Sequence, residues 1–223
     1  MSKRRITILG MGPSAYRKAD NIEQYTEGTE LWSLNNAYLT YPNLFEGRKF
    51  DRMYELHSWD YLQTWQAGKV GGSPVDHFKT LEACKCDVWT TQPLPVIMRQ
   101  LQFPLAEILH AFGRDVEVKG SPSWMLAHAL YEHACGNEIE YIQSYGIDTK
   151  DPSHMCQRPS WSQWCVRAEA MGIELGGTMT EFRNEPDQDE GLNGLLDHAR
   201  MIYDQSKTLK IEESEENNEL RSG

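Results

Sequence analysis

Short apolar runs alternate with longer segments of helical periodicity along most of the chain. The apolar runs predict strands at Arg5–Leu9, Leu31–Leu34, Phe50–Glu55, Cys86–Thr90, Asp115–Val118 and Glu138–Gln143. Apolar residues spaced three and four apart predict helices at Ser14–Tyr25, Trp59–Gln66, Val96–Phe112, Pro122–Cys135, Ser160–Met171 and Leu192–Lys207. Strands that alternate with helices favour an α/β fold, a mostly parallel sheet with helices on both faces.

The chain divides into one folded domain and a polar C-terminal part. We expect the domain to cover residues 1–182, followed by a linker and C-terminal helix over 183–210. Residues 211–223 contain five glutamates and one arginine and almost no apolar side chains. Such a composition is typical of a disordered acidic tail.

Charge and composition exclude several classes of protein. The net charge is −11, which argues against a protein that mainly neutralises nucleic-acid phosphates. No run approaches the roughly 18 apolar residues of a membrane span, and the short first apolar run does not resemble a secretory signal. Five cysteines in a chain of this length are expected to be reduced, which favours the cytoplasm. Their spacings do not match a structural zinc site, so we expect no metal.

A glycine-rich turn follows the first predicted strand. Gly10 and Gly12 begin a G-x-G-x-x-A pattern that opens a helix, with Pro13 and Ser14 between the second glycine and the alanine. Glycine lets the backbone turn tightly and lets a phosphate approach, and the helix start favours an anion. We expect a nucleotide to bind here, with Ser14 capping the helix or contacting the ligand.

The residues after the second predicted strand argue against NAD. An NAD site places an acidic residue there to hold the ribose hydroxyls. This chain has Asn35 and Asn36 instead, and neutral amides contact a ribose, a base edge or a phosphate without repulsion. A nucleotide other than NAD is therefore expected.

Candidate chemistry follows the third predicted strand. Glu55 and His57 are two positions apart, which places them on one side of a strand. His57 would serve as a general base, with Glu55 orienting it or contacting substrate. The alternative is a surface histidine in a loop.

Two later helix starts face the same predicted edge of the sheet. Ser121 and Ser123 flank the first position of the helix beginning at Pro122, and they would bind phosphate or ribose or only cap the helix. A capping box of Ser160 and Gln163 would leave Arg158 just before the next helix, where it would clamp a phosphate. Further candidates in the loop after the last predicted strand are Tyr145, Asp148 and His154.

These motifs together resemble a known group of transferases. The segments "GMGPS", "SLNNAY" and "GSPSWMLAHALYE…IEYIQSYGID" are similar to Rossmann-like bacterial sialyltransferases of the CMP-sialic-acid type and to the hydroxymethylpterin diphosphokinase-like or motility accessory factor proteins. The segments "YELHSW" and "GID…QRPSW" look like small proteins of tailed phages and prophages. The resemblance covers roughly residues 5–175. It implies a Rossmann-like fold and a nucleotide site formed by residues at the positions of Gly10, Gly12, Ser14, Asn35, Ser121, Ser123 and Asp148.

The leading hypothesis is a metal-independent glycosyltransferase with a nucleotide-sugar donor as co-substrate and no tightly bound cofactor. Donor phosphates would lie at Gly10–Ser14, Arg158 would stabilise the leaving phosphate, and His57 or His154 would deprotonate the acceptor. A modified base in phage DNA is a less favoured acceptor because the chain is acidic. The alternatives are a phage protein that sequesters a nucleotide or a nucleotide-derived signal, and a pyrophosphokinase. A homo-oligomer is compatible with the sequence.

Overall fold

A seven-stranded sheet, parallel throughout, organises the chain. This computed structural model describes residues 3–16, 21–46, 50–66, 74–83, 85–95, 97–113, 116–148 and 155–180. The strands are β1 Arg4–Leu9, β2 Glu30–Leu34, β3 Arg52–Glu55, β4 Asp87–Thr90, β5 Gln100–Gln102, β6 Ile139–Tyr145 and β7 Glu174–Gly177. Their order across the sheet is β5-β4-β3-β2-β1-β6-β7. After β5, at one edge of the sheet, the chain returns to the centre and forms β6 on the other side of β1. The direction of winding therefore reverses between β1 and β6.

Helices cover both faces of the sheet. They are α1 Pro13–Tyr16, α2 Ile22–Thr26, α3 Pro42–Glu46, α4 Trp59–Gln66, α5 Pro74–Ala83, α6 Leu105–Phe112, α7 Ser121–Ala134 and α8 Arg158–Ala170. Successive side chains of a strand point to opposite faces of the sheet. Ile6 and Ile8 therefore pack with α6, α7 and α8, while Leu9 packs with α1 to α5. The expected single α/β domain with a parallel sheet is confirmed. None of the helices in the described segments is both long and apolar enough to cross a bilayer.

The predicted strand at Asp115–Val118 is wrong over its described part. Residues 116–119 have no regular secondary structure. The carbonyl of Glu117 accepts hydrogen bonds from Ser160 Oγ at 2.8 Å and Trp164 Nε1 at 3.0 Å. Side chains of α8 therefore take the place of a neighbouring strand.

The predicted helix at Val96–Phe112 is also wrong in its first half. Residues 100–102 form β5, and the helix begins only at Leu105, after Pro104. Proline removes a backbone donor and clashes inside a helix, so the helix starts beyond it. Likewise, the segment Ser14–Tyr25 forms two short helices, α1 and α2, over its described residues.

Further differences concern the start of α8 and two elements that the sequence pattern did not predict. The capping box at Ser160 is absent, because α8 begins at Arg158 and Ser160 Oγ bonds to Glu117 and to the N–H of Lys119. Sequence patterning missed α5 and β7. The predicted C-terminal helix Leu192–Lys207 and the tail over 211–223 lie outside the described residues.

Candidate functional site

A cavity of about 590 Å³ lies at the carboxyl ends of the central strands. Ligands of open parallel sheets bind where the winding reverses, and this volume is within the ordinary range for small-molecule sites. It is lined by Gly10, Met11, Gly12, Leu34, Asn35, Leu56, His57, Tyr61, Gly120, Ser121, Pro122, Trp124, Gly146, Ile147, Asp148 and Gln157. Of the predicted site residues whose side chains the structure describes, six line it: Gly10, Gly12, Asn35, His57, Ser121 and Asp148.

The glycine turn packs directly against the loop after β6. The N–H of Gly10 donates to the carbonyl of Tyr145 and the N–H of Gly12 to that of Gly146, both at 2.8 Å. A Cβ at Gly10 would collide with the Gly146 carbonyl and with Ile147 Cδ1. Glycine is required at this position by the neighbouring backbone itself, independently of any ligand.

Asp148 occupies the start of α1. Its Oδ2 atom accepts a hydrogen bond of 2.7 Å from the N–H of Ser14, and the N–H of Gly146 donates to Ser14 Oγ at 3.0 Å. A Cβ at Gly12 would meet the same carboxylate. An anionic group of the chain therefore already lies where the sequence predicts donor phosphates, and a phosphate at Ser14 would have to displace it.

Asn35 and Asn36 take different positions although they are adjacent. Asn35 is buried, lines the cavity and has a φ of 48°, a left-handed conformation that asparagine tolerates better than most residues. Its Oδ1 atom is buried without a hydrogen-bond partner among the described residues. Asn36 instead precedes the short 3-10 helix Ala37–Leu39 and does not line the cavity. Asn35 is thus the amide placed to meet a ligand.

The expected contact between Glu55 and His57 is present. Glu55 is the last residue of β3 and is completely buried, and its Oε1 atom lies 2.7 Å from His57 Nδ1 and 3.2 Å from the His57 N–H. His57 lines the cavity and stacks on Tyr61 with ring centroids 4.7 Å apart. The strand end and the loop thus hold an imidazole at the cavity wall through a buried carboxylate.

A second histidine, absent from the sequence predictions, contacts the same carboxylate. His77 of α5 places Nε2 2.8 Å from Glu55 Oε2, and its Nδ1 lies 2.9 Å from the hydroxyl of Tyr38. Burial alone would raise the pKa of the Glu55 carboxyl, but the hydrogen bonds of His57 and His77 hold that pKa below its ordinary value. We call Tyr38, Glu55, His57 and His77 the cavity cluster.

The start of α7 forms another wall of the cavity. Gly120, with a φ of 82°, precedes the helix, and a Cβ there would collide with the amide of Gln157, which also lines the cavity. Ser121 and Trp124 line the cavity, whereas Ser123 is buried within the helix turn and does not. The α7 start therefore offers one hydroxyl and one indole ring.

Several predicted residues lie elsewhere. Arg158 is the first residue of α8 and does not line the cavity. Tyr145 is the buried end of β6, not a loop residue, and its hydroxyl donates to Gln143 Oε1 at 3.1 Å. Pro13 begins α1, and His154 lies outside the described residues.

The described lining combines apolar and neutral polar groups with few charges. It contains the carboxylate of Asp148 and the imidazole of His57 but no lysine or arginine. Within the described segments, no group of three or more His, Cys, Asp or Glu residues is arranged to hold a metal ion. Among the described lining residues, apolar and aromatic side chains thus outnumber charged ones.

Comparison with known proteins finds no family model, no curated protein and no solved structure that matches this chain. The coarse part of the resemblance, a parallel α/β fold, is present in the structure. No match supports membership of either transferase family.

Proposed function

We propose that this protein is a nucleotide-dependent transferase, a glycosyltransferase with a nucleotide-sugar donor, that uses His57 as its general base. One observation carries the proposal. The buried carboxylate of Glu55 holds His57 at the wall of a cavity that lies at the point where the winding of the sheet reverses. A carboxylate that orients an imidazole beside a ligand cavity is a common arrangement for proton transfer.

The protonation states follow from the hydrogen bonds. An ionised carboxylate only accepts, so His57 must present Nδ1–H to Glu55. The lone pair of neutral His57 is then on Nε2. In the proposed reaction, Nε2 takes the proton of the acceptor hydroxyl while that oxygen bonds to the anomeric carbon. The bond from this carbon to the donor phosphate breaks, and the nucleoside phosphate leaves with both electrons.

The composition of the lining supports a donor with a single phosphate. Trp124, Tyr61 and Leu34 offer surfaces for a base or sugar, and Asn35 and Ser121 offer polar contacts. The described lining has no lysine or arginine, and Asp148 would repel a highly charged group. A nucleoside-monophosphate sugar, which carries one phosphate charge, therefore suits the cavity better than a nucleoside-diphosphate sugar.

A thermal-shift screen tests the nucleotide site. A ligand at 100 times its Kd stabilises the folded state by about 2.7 kcal/mol, so binding raises the melting temperature. We expect CMP to raise it more than UDP, GDP, ADP or NAD, because CMP carries a single phosphate. An Asn35→Ala variant should lose this shift, and an Asp87→Asn variant, changed at a half-exposed side chain of β4 that does not line the cavity, should keep it. If no nucleotide changes the melting temperature, the proposal is wrong.

Substitution of His57 separates catalysis from binding. His57→Gln should keep the nucleotide-induced shift but lower the release of nucleoside monophosphate from a CMP-sugar by roughly 10²–10⁴-fold, the usual contribution of a general base. His110→Gln, at an exposed position of α6, is the matched control. Tight binding with the donor recovered intact from the wild-type protein would favour the sequestering protein over the enzyme.

A further inference from the structure

The cavity cluster extends behind His57 into the protein as a continuous chain of hydrogen bonds. The distances are 2.9 Å from the Tyr38 hydroxyl to His77 Nδ1, 2.8 Å from His77 Nε2 to Glu55 Oε2, and 2.7 Å from Glu55 Oε1 to His57 Nδ1. Tyr38, Glu55 and His77 are all buried. These groups come from three elements: the 3-10 helix after β2, the end of β3 with its loop, and α5.

We propose that His77 and Tyr38 are positioning residues that keep Glu55 ionised and thereby fix the Nδ1–H form of His57. The effect of His77 and Tyr38 on Glu55 and His57 is a property of the free protein. Only the use of this effect in catalysis rests on the proposed function of His57. Neither residue lines the cavity, so both act through Glu55 and not on a ligand.

The direction of each hydrogen bond follows from the chemistry of the groups. Glu55 as a carboxylate is an acceptor only, so His77 must donate through Nε2–H. The Nδ1 atom of neutral His77 is then an acceptor, which receives the hydroxyl proton of Tyr38. Tyr38 thus selects the tautomer of His77 that can donate to Glu55.

Removing His77 would change the tautomer of His57, to which it is connected by two hydrogen bonds through Glu55. Without its donor, Glu55 Oε2 would be a buried carboxylate oxygen with no compensation from α5, which favours the protonated acid. A protonated Glu55 would donate to His57 Nδ1, and neutral His57 would then carry its proton on Nε2. In that form, His57 has no lone pair toward an acceptor hydroxyl.

Nuclear magnetic resonance of the full chain tests this inference without substrate. In ¹⁵N-histidine-labelled protein, we expect neutral His57 to be the Nδ1–H tautomer, and the ¹³C signal of the Glu55 carboxyl to titrate below the ordinary range. In His77→Leu the Glu55 midpoint should move to higher pH and the Nε2–H tautomer of His57 should appear. His77→Gln, whose amide retains a donor at the same reach, should restore both signals. His110→Gln serves as the unrelated histidine control.

Tyr38→Phe keeps the inference testable if His77→Leu does not fold. This variant removes a single oxygen and should populate the other tautomer of His77, with a smaller change at Glu55 in the same direction. The inference is wrong if, in every one of these variants that folds, His57 keeps its tautomer and the Glu55 carboxyl keeps its titration midpoint. An effect on the spectra without any nucleotide binding would overturn the proposed function but leave the positioning role intact.

Activity provides the second readout. If His57 acts as the base, His77→Leu should lower kcat by about tenfold or more while KM changes little, by analogy with the outer partners of metal-binding histidines, which contribute about 10–100-fold. His77→Gln should recover most of kcat. An equal loss in both variants would indicate a packing role for His77 and would contradict the inference.

Discussion

Both ends of the sheet shield a carboxylate from solvent, completely for Glu55 and largely for Glu132, but they neutralise it with different partners. At the carboxyl end, Glu55 is completely buried between His57 and His77. At the amino end, Glu132 of α7 accepts from Arg4 at 2.9 Å and from Arg52 at 2.7 Å. Arg4 also forms a two-pronged ion pair with Glu30 of β2, and we call Arg4, Glu30, Arg52 and Glu132 the arginine cluster.

The difference separates a fixed charge network from an adjustable one. Arginine stays protonated at all ordinary pH values, so the arginine cluster keeps one charge state and joins three strand starts to α7. Imidazole is the side chain whose ordinary pKa lies nearest to neutral pH, which is why the proposed proton transfer is assigned to the cavity cluster. Arg52 also lies 4.5 Å over the Trp32 ring, which ties the arginine cluster to the core. Stability is therefore expected to depend on one end and chemistry on the other.

The largest effect should follow from breaking the arginine cluster at its centre. Glu132→Ala would leave Arg52 without its carboxylate in a largely buried position, which typically costs about 3 kcal/mol of the free energy of unfolding. Urea unfolding measures this loss, and Glu82→Ala at an exposed position of α5 is the matched control. Equal unfolding midpoints for the two variants would show that the arginine cluster is not structural.

A pH effect of similar size should come from His128, a buried histidine of α7 between the two ends. Its Nδ1 atom lies 3.0 Å from the Tyr54 hydroxyl, and desolvation lowers its pKa from 6.5 to about 4. The unfolded chain then binds more protons than the folded one between these values. The stability that neutral His128 contributes is complete above pH 6.5 and is lost as the pH falls toward 4.

The expected loss over this window is roughly 3 kcal/mol, since each pKa unit corresponds to about 1.4 kcal/mol. His128→Asn retains an acceptor for Tyr54 but does not titrate, so its unfolding free energy should vary less between pH 6.5 and pH 4.5. Chemical unfolding at a series of pH values compares the two proteins. Parallel pH profiles would mean that His128 is not a buried neutral imidazole.

A smaller effect is expected at the glycine turn of the cavity end. Gly12→Ala would push the Asp148 carboxylate from the start of α1, at a cost of roughly 1–2 kcal/mol for the lost cap. Asp148→Ala removes the same hydrogen bond, so the double variant should be less destabilised than the sum of the single ones. Additive losses would show that Gly12 and Asp148 act independently.

The sequence predicted the parts of the site that depend on short-range patterns. The glycine turn after β1, the pair of Glu55 and His57, and the helix start at Ser121 all follow from local spacing. His77 could not be found this way, because it lies 22 positions beyond Glu55 and no short-range pattern links the two. The Asp148 cap was also missed, since it links residues 134 positions apart.

The edges of the sheet were also not predicted, because their strands are short and depend on contacts with residues far away in the sequence. β5 has only three residues, and β7, with the sequence ELGG, has a low strand propensity because of its two glycines. A Cβ at Gly176 would meet the hydroxyl end of Tyr141 on the neighbouring strand, so the Tyr141 side chain would have to move. Such cross-strand contacts, and the side chains of α8 that replace a strand beside Glu117, depend on tertiary packing.

The smallest effect should come from an ion pair of the same chemistry as the arginine cluster but exposed to solvent. Arg99 Nη2 lies 3.2 Å from Asp87 Oδ1, with side chains 62% and 49% exposed. Water already solvates both charges, so Asp87→Asn should change the free energy of unfolding by less than about 0.5 kcal/mol. Added salt should screen this exposed pair and shrink the small difference further, whereas Glu132→Ala should stay destabilised because its ion pair is largely buried. A loss at Asp87 as large as that at Glu132 would show that burial does not set the strength of these pairs, and the contrast between the two ends of the sheet would lose its physical basis.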